Sequence, residues 1–124
     1  MNDIENREDL EILLFKFYSK LLSDETINYI FTDIAKIDLE SHLPKIIDFW
    51  NLSLFGKGDY SSNVMKIHLD LNAEEKLNEK HFKTWLNHFY DTVDANFSGK
   101  NAEIIKTKAL SIATVMQIKM HKLN

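Results

Sequence analysis

The stretch "EKHFKTWLNHFYDTVDANF", Glu79 to Phe97, decides the fold class. Phe82, Trp85, Leu86, Phe89 and Val93 recur at i, i+3, i+4, i+7 and i+11. This is the 3.6-residue period of an amphipathic helix, not the two-residue alternation of a strand. Ser98 and Gly99 close it, with Gly99 read as a C-cap.

The same period recurs on both sides. Downstream, a last helix from about Asn101 to His121 carries Ile105, Ala109, Ile112, Ala113, Met116 and Met120. Lys119, His121 and Lys122 complement the negative end of its dipole. Upstream, a first helix from about Asp9 to Leu22 carries Leu10, Leu13, Leu14, Phe17 and Leu21, with Tyr18 at the edge of the stripe. "SDE", Ser23 to Glu25, reads as a stop followed by a new N-cap, and a short helix follows with Ile27, Ile30, Phe31 and Ile34 inward. "DLESHLPK" opens another helix, with Asp38 or Ser41 as its cap. Pro44 belongs near a helix start, which puts His42 at or just before the first turn. That helix runs on through Ile46, Ile47, Phe49, Trp50 and Leu54. "FGKGDYSSN", Phe55 to Asn63, is an irregular loop, and Leu71 to Leu77 has no firm assignment. The expectation is a single all-α domain of five or six helices over residues 1–124, with 1–8 a loose N-terminal segment.

Composition agrees. The 124 residues are 44% apolar and 27% charged, a globular balance, and 3 Gly with 1 Pro leave few helix breakers. The net charge of -4 shows no basic stripe and argues against nucleic acid. No apolar leader or membrane-length run appears, which points to the cytoplasm and away from a membrane partner. Without cysteine there are no disulfides, thiolate metal sites or covalent haem attachment.

Histidine is the remaining metal-ligating type, with 5 in the chain. A di-iron bundle needs Glu-x-x-His pairs, but Leu39, Met65, Asn78, Trp85 and Ile118 precede the histidines by three. Zinc spacings, a phosphate loop and a nucleophile elbow are likewise missing. A haem site needs one neutral imidazole, an apolar slot and a small guarded space on the other face. His68, in "VMKIHLDL" beside Met65, Ile67 and Leu69, suits the first role, and His42 on an earlier helix suits the opposite face. Tyr18 and Trp85 offer an O–H and an N–H to the same space. On the residues alone the plainer alternative stays open, because a lone histidine in an apolar run is more often a satisfied core residue.

Taken in order, "FKFYSKLLSDETINYIF", "HLPKIIDFW", "LFGKGDYSSNVMKIHLDL" and "HFKTWLNHF" resemble the truncated haemoglobins, specifically group III. The resemblance runs from about Leu10 to Met120, and the glycine-poor sequence fits a group that lacks the glycine-pair motifs of its sisters. It implies a two-over-two helical sandwich around haem b. His68 matches the proximal iron ligand, His42 the distal-helix histidine, Tyr18 the distal tyrosine and Trp85 the tryptophan beside the bound ligand. Phe31 matches the phenylalanine on the porphyrin face, Phe49 and Trp50 are expected to wall the distal side, and Met65 is expected to bed the porphyrin beside His68. Leu39 departs from the family, standing where an aromatic is often seen ahead of the distal histidine. His81, His88 and His121 carry no family role and read as residues of a solvated face.

The function so implied is binding of dioxygen, nitric oxide, carbon monoxide or peroxide at a histidine-ligated iron. Two distal donors predict slow dioxygen release, which suits nitric oxide dioxygenase-like or peroxidase-like chemistry with an unidentified reductant better than bulk oxygen transport. The competing reading is a cofactor-free helical interaction module.

Overall fold

The computed structural model describes residues 1–29, 39–56 and 79–123, with side chains from residue 40 in the second stretch and to residue 118 in the third. Ile30, Phe31, Ile34, Asp38, Met65, His68 and the 71–77 stretch lie outside the described residues, as do the side chains of Lys119, Met120, His121 and Lys122. Four helices stand in the described residues: α1 (Arg7–Ser23), α2 (Leu39–Phe55), α3 (Glu79–Asn96) and α4 (Lys100–Leu123).

Helix α1 starts two residues earlier than its apolar stripe suggests, because Asn6 caps it. The Asn6 side chain accepts from the Asp9 N–H at 3.0 Å, and the Asp9 carboxylate accepts from the Glu5 N–H at 2.9 Å. This reciprocal pair satisfies donors that a helix start otherwise leaves open. Leu10, Leu13, Leu14, Phe17 and Leu21 are all buried, and Tyr18 is buried with them. After α1 the Asp24 carbonyl accepts from the Ile27 and Asn28 N–H groups at 3.1 and 2.8 Å, so "SDE" is a stop and a restart as its composition indicates.

Helix α2 begins before Ser41, which is therefore not its cap, and His42 lies in its first turn. Pro44 falls inside the helix and has no N–H for the carbonyl one turn back, at Glu40. Pro44 is exposed and near the helix start, where its ring is tolerated. Gly56 stops the helix with a φ of 68°, its N–H reaching the Leu52 carbonyl at 2.9 Å.

Between α3 and α4 the sequence reading needs correction. Gly99 is not the C-cap of α3 but the residue immediately ahead of α4, with a φ of 144°. A Cβ there would lie 2.6 Å from the Asp3 Cγ. The open side of Gly99 admits Asp3, whose carboxylate accepts from the Asn101 and Ala102 N–H groups at 2.9 and 2.8 Å. Burial pushes the Asp3 carboxyl up, but N–H groups of Asn101, Ala102 and Ile4 outweigh it and hold it below the usual range. Asn101 also donates to the Ile4 carbonyl at 2.7 Å, and Ile4 is fully buried. The N-terminal segment expected to be loose is therefore fastened at Asp3 and Ile4, because the start of α4 needs an anion and the core needs an apolar plug.

The helices pack in pairs, α1 against α2 and α3 against α4, with α1 also resting on α3. The core is aromatic at that crossing. Phe17 meets Phe89 edge to face at 5.0 Å, and Phe89 stacks on Trp50 and Trp85 at 5.5 and 5.7 Å. Each such buried ring contributes about 1.5–3 kcal/mol. Arg7 pairs with Asp48 at 2.8 Å across α1 and α2, but both are exposed enough for water to screen most of the gain. Among the described residues no helix is long and apolar enough to cross a membrane.

Candidate functional site

Two of the residues singled out by sequence meet at α1, and a third, Trp85, reaches the neighbouring Phe17. Tyr18 follows Phe17 on the buried face, and its Oη lies 3.1 Å from His42 Nε2. The two rings meet edge to face, with centroids 5.3 Å apart. The join is long-range, from the middle of α1 to the first turn of α2, and depends on the close packing of those helices. Trp85 approaches from α3. Its indole meets Phe17 edge to face at 5.5 Å and stacks on Phe89. Phe17 is thus a shared neighbour of the Tyr18 ring and the Trp85 indole.

The Tyr18 phenol is buried, and desolvation pushes its pKa well up. It stays protonated at every ordinary pH and acts as an O–H donor, not as a tyrosinate. The donor has an acceptor within reach in the Nδ1–H tautomer of His42. Half-buried in the first turn of α2, His42 has less packing around it than a residue of the helix centre.

Phe49 is half-buried and packs edge to face on Trp50 at 5.1 Å. Trp50 is 3% exposed and belongs to the core stack through Phe89. Both stand on α2, the helix that carries His42. His68, Met65 and Phe31 lie outside the described residues.

His81 and His88 correct the sequence reading. Neither is simply a solvated residue. The Tyr29 Oη lies 3.0 Å from His81 Nε2, and His88 Nε2–H donates to the Asp24 carboxylate at 2.7 Å. The Thr26 hydroxyl and N–H and the His88 imidazole pull the Asp24 carboxyl down to about 2. Partners 52 and 64 residues away leave no local sequence signal.

The chain is 31% identical over 120 residues to the group 3 truncated haemoglobin ctb of Campylobacter jejuni, an alignment covering 94% of this chain and 92% of that protein. Its structure matches the crystal structure of the group III truncated haemoglobin from Campylobacter jejuni with a TM-score of 0.86 and 28% identity, over 100% of this chain and 98% of that one. No family model matches the chain. The all-α fold is that of the truncated globins, and the likeness spans almost the whole length of both proteins. By that extent and identity, the chain belongs to the group III truncated haemoglobins.

Proposed function

We propose that this truncated haemoglobin binds haem b, with His68 as the proximal iron ligand, and holds a diatomic or peroxidic ligand against Tyr18, Trp85 and His42. The part-buried Tyr18–His42 contact carries the reading. A protonated phenol and an imidazole facing each other among aromatic rings fit the ligand side of a flat apolar cofactor. When bound, haem supplies an iron centre that takes small ligands on its open face and exchanges electrons with a reductant.

The chain's own residues do the selecting. Tyr18 supplies an O–H that its burial keeps protonated. Turning that O–H toward a ligand costs the contact with His42, so His42 competes with the ligand for the same proton donor. Movement of His42 away from Tyr18, near the start of α2, would give it a gating role at the ligand side. The Trp85 N–H is a second donor, and the aromatic stack of Phe17, Phe89 and Trp50 excludes water behind it. In a dry pocket both donors favour ligands that carry partial negative charge, dioxygen above carbon monoxide.

Strong retention of dioxygen favours its reaction with nitric oxide over delivery in bulk, and a polar pocket also suits cleavage of a peroxide O–O bond. His42 is placed to accept or return a proton through the Tyr18 hydroxyl during such a step. A cytoplasmic reductant would restore the ferrous state.

Titration of the purified chain with haemin, followed by reduction under carbon monoxide, tests the proposal. One haem per chain and a sharp Soret band are expected. A chain that gains neither Soret absorption nor thermal stability would instead be a cofactor-free helical module.

A further inference from the structure

His81, Trp85 and His88 stand at i, i+4 and i+7 on α3, so they share one face of that helix. The two histidines on either side of Trp85 reach the same short segment, residues 24–29. His88 holds Asp24 at 2.7 Å, and His81 holds Tyr29 at 3.0 Å. The segment therefore runs antiparallel to α3, alongside the row that carries Trp85. At 1.5 Å rise per residue the two attachments are roughly 10 Å apart.

The segment is itself stiff. Asp24 accepts from the Thr26 N–H at 2.9 Å and from the Thr26 hydroxyl at 2.7 Å. Asn28 donates to the Leu22 carbonyl at 3.3 Å, and Ile27 is buried. One attachment would leave α3 free to pivot about it. Two attachments on a stiff partner fix both the rotation of α3 about its axis and its slide along it.

Trp85 needs that constraint more than its neighbours do. Phe82 and Phe89 are buried and held by packing on all sides, whereas Trp85 is half-buried. Its ring contacts with Phe17 and Phe89 add only modestly to burial, and by themselves they allow some tilt. We propose that His81 and His88 are a two-point clasp that positions the Trp85 indole, through Tyr29 and Asp24 respectively. The clasp rests on the haem reading only for its consequence, the aim of the Trp85 N–H at a ligand.

Tryptophan-selective 15N labelling of the full chain gives one indole N–H signal for Trp85 and one for Trp50, read before and after haem is added. Tyr29→Phe removes one O–H without changing ring shape, and His88→Leu removes the other attachment. Each is expected to move the Trp85 signal by more than its linewidth and to leave that of Trp50 in place. His81→Gln and His88→Gln, whose amides reach the same partners, are expected to keep the Trp85 signal near its original position. With haem bound, Tyr29→Phe is expected to raise the dioxygen off-rate about fivefold, the loss of one ordinary hydrogen bond. An unmoved Trp85 signal in either Tyr29→Phe or His88→Leu overturns the clasp, even where the melting temperature falls. Gln variants that move it as far as His88→Leu overturn it too. Should His88→Leu fail to fold, Tyr29→Phe decides. Failure of the wild-type chain to take up haem would sink the haem reading while the indole comparison still stands.

Discussion

Tyr18 Oη lies 3.1 Å from His42 Nε2, joining the middle of α1 to the first turn of α2. A phenol that burial holds protonated and an imidazole that either donates or accepts form a pair with one exchangeable proton between them. The pair sets both what the pocket offers a ligand and what must move to offer it.

Tyr18→Phe removes the O–H and keeps the ring contact with Phe17. Hydrogen bonds to partly charged ligands contribute about 1.5–3 kcal/mol, so the dioxygen off-rate is expected to rise roughly tenfold to a hundredfold. The carbon monoxide off-rate should change far less. Flash photolysis and stopped-flow displacement measure both, and equal changes would end the donor role.

The contact of His42 with Tyr18 also bears on the ferric protein. An imidazole turned toward Tyr18 is not committed to the iron, so the ferric spectrum is expected to be high-spin or water-ligated. A low-spin bis-histidine spectrum that disappears in His42→Ala would show that His42 leaves Tyr18 and takes the iron itself.

Acid stability should report Asp24 and Asp3. Both carboxyls lie below their ordinary values, Asp24 at about 2 through Thr26 and His88 and Asp3 through the start of α4. A depressed folded-state pKa gives stability that is fully present above the unfolded value near 4 and is lost as pH falls toward the folded value. The melting temperature is therefore expected to drop from about pH 4 downward, and less steeply in Asp24→Asn. An acid limb identical in wild type and Asp24→Asn would contradict the assignment.

Gly99→Ala should loosen the N-terminus. The new Cβ meets the Asp3 side chain at 2.6 Å, and the φ of 144° is unfavourable for alanine. The expected loss is about 1–3 kcal/mol, with faster amide exchange at Asn101 and Ala102. Asp3→Ala should lose about 1 kcal/mol by the same route. Unchanged exchange at Asn101 in Gly99→Ala would show that Asp3 does not depend on the open side of Gly99.

The helices were legible because their apolar residues repeat at a helical period, as at Phe82, Trp85, Phe89 and Val93, and burial follows that period. The Tyr18–His42 contact was legible only through the order of motifs along the whole chain, since no single spacing encodes it. What the sequence reading misses is what local pattern cannot carry. Gly99 follows a helix and precedes another, and only the arrival of Asp3 from the far end of the chain decides which one it serves. His81 and His88 sit on a polar-looking face whose partners, Tyr29 and Asp24, belong to a segment outside that helix. The acidic "MNDIEN" start reads as loose until Ile4 is seen buried and Asn6 is seen capping.

Haem retention by His68→Ala decides whether His68 holds the iron. Wild-type and variant chains are purified in parallel after growth with haem, and haem per chain and the ferrous spectrum are compared, with imidazole added back. His68→Ala is expected to lose most of its haem and the five-coordinate histidine spectrum, imidazole to restore both in part, and His42→Ala to keep its haem. A His68→Ala protein with full haem content and an unchanged spectrum would contradict that role.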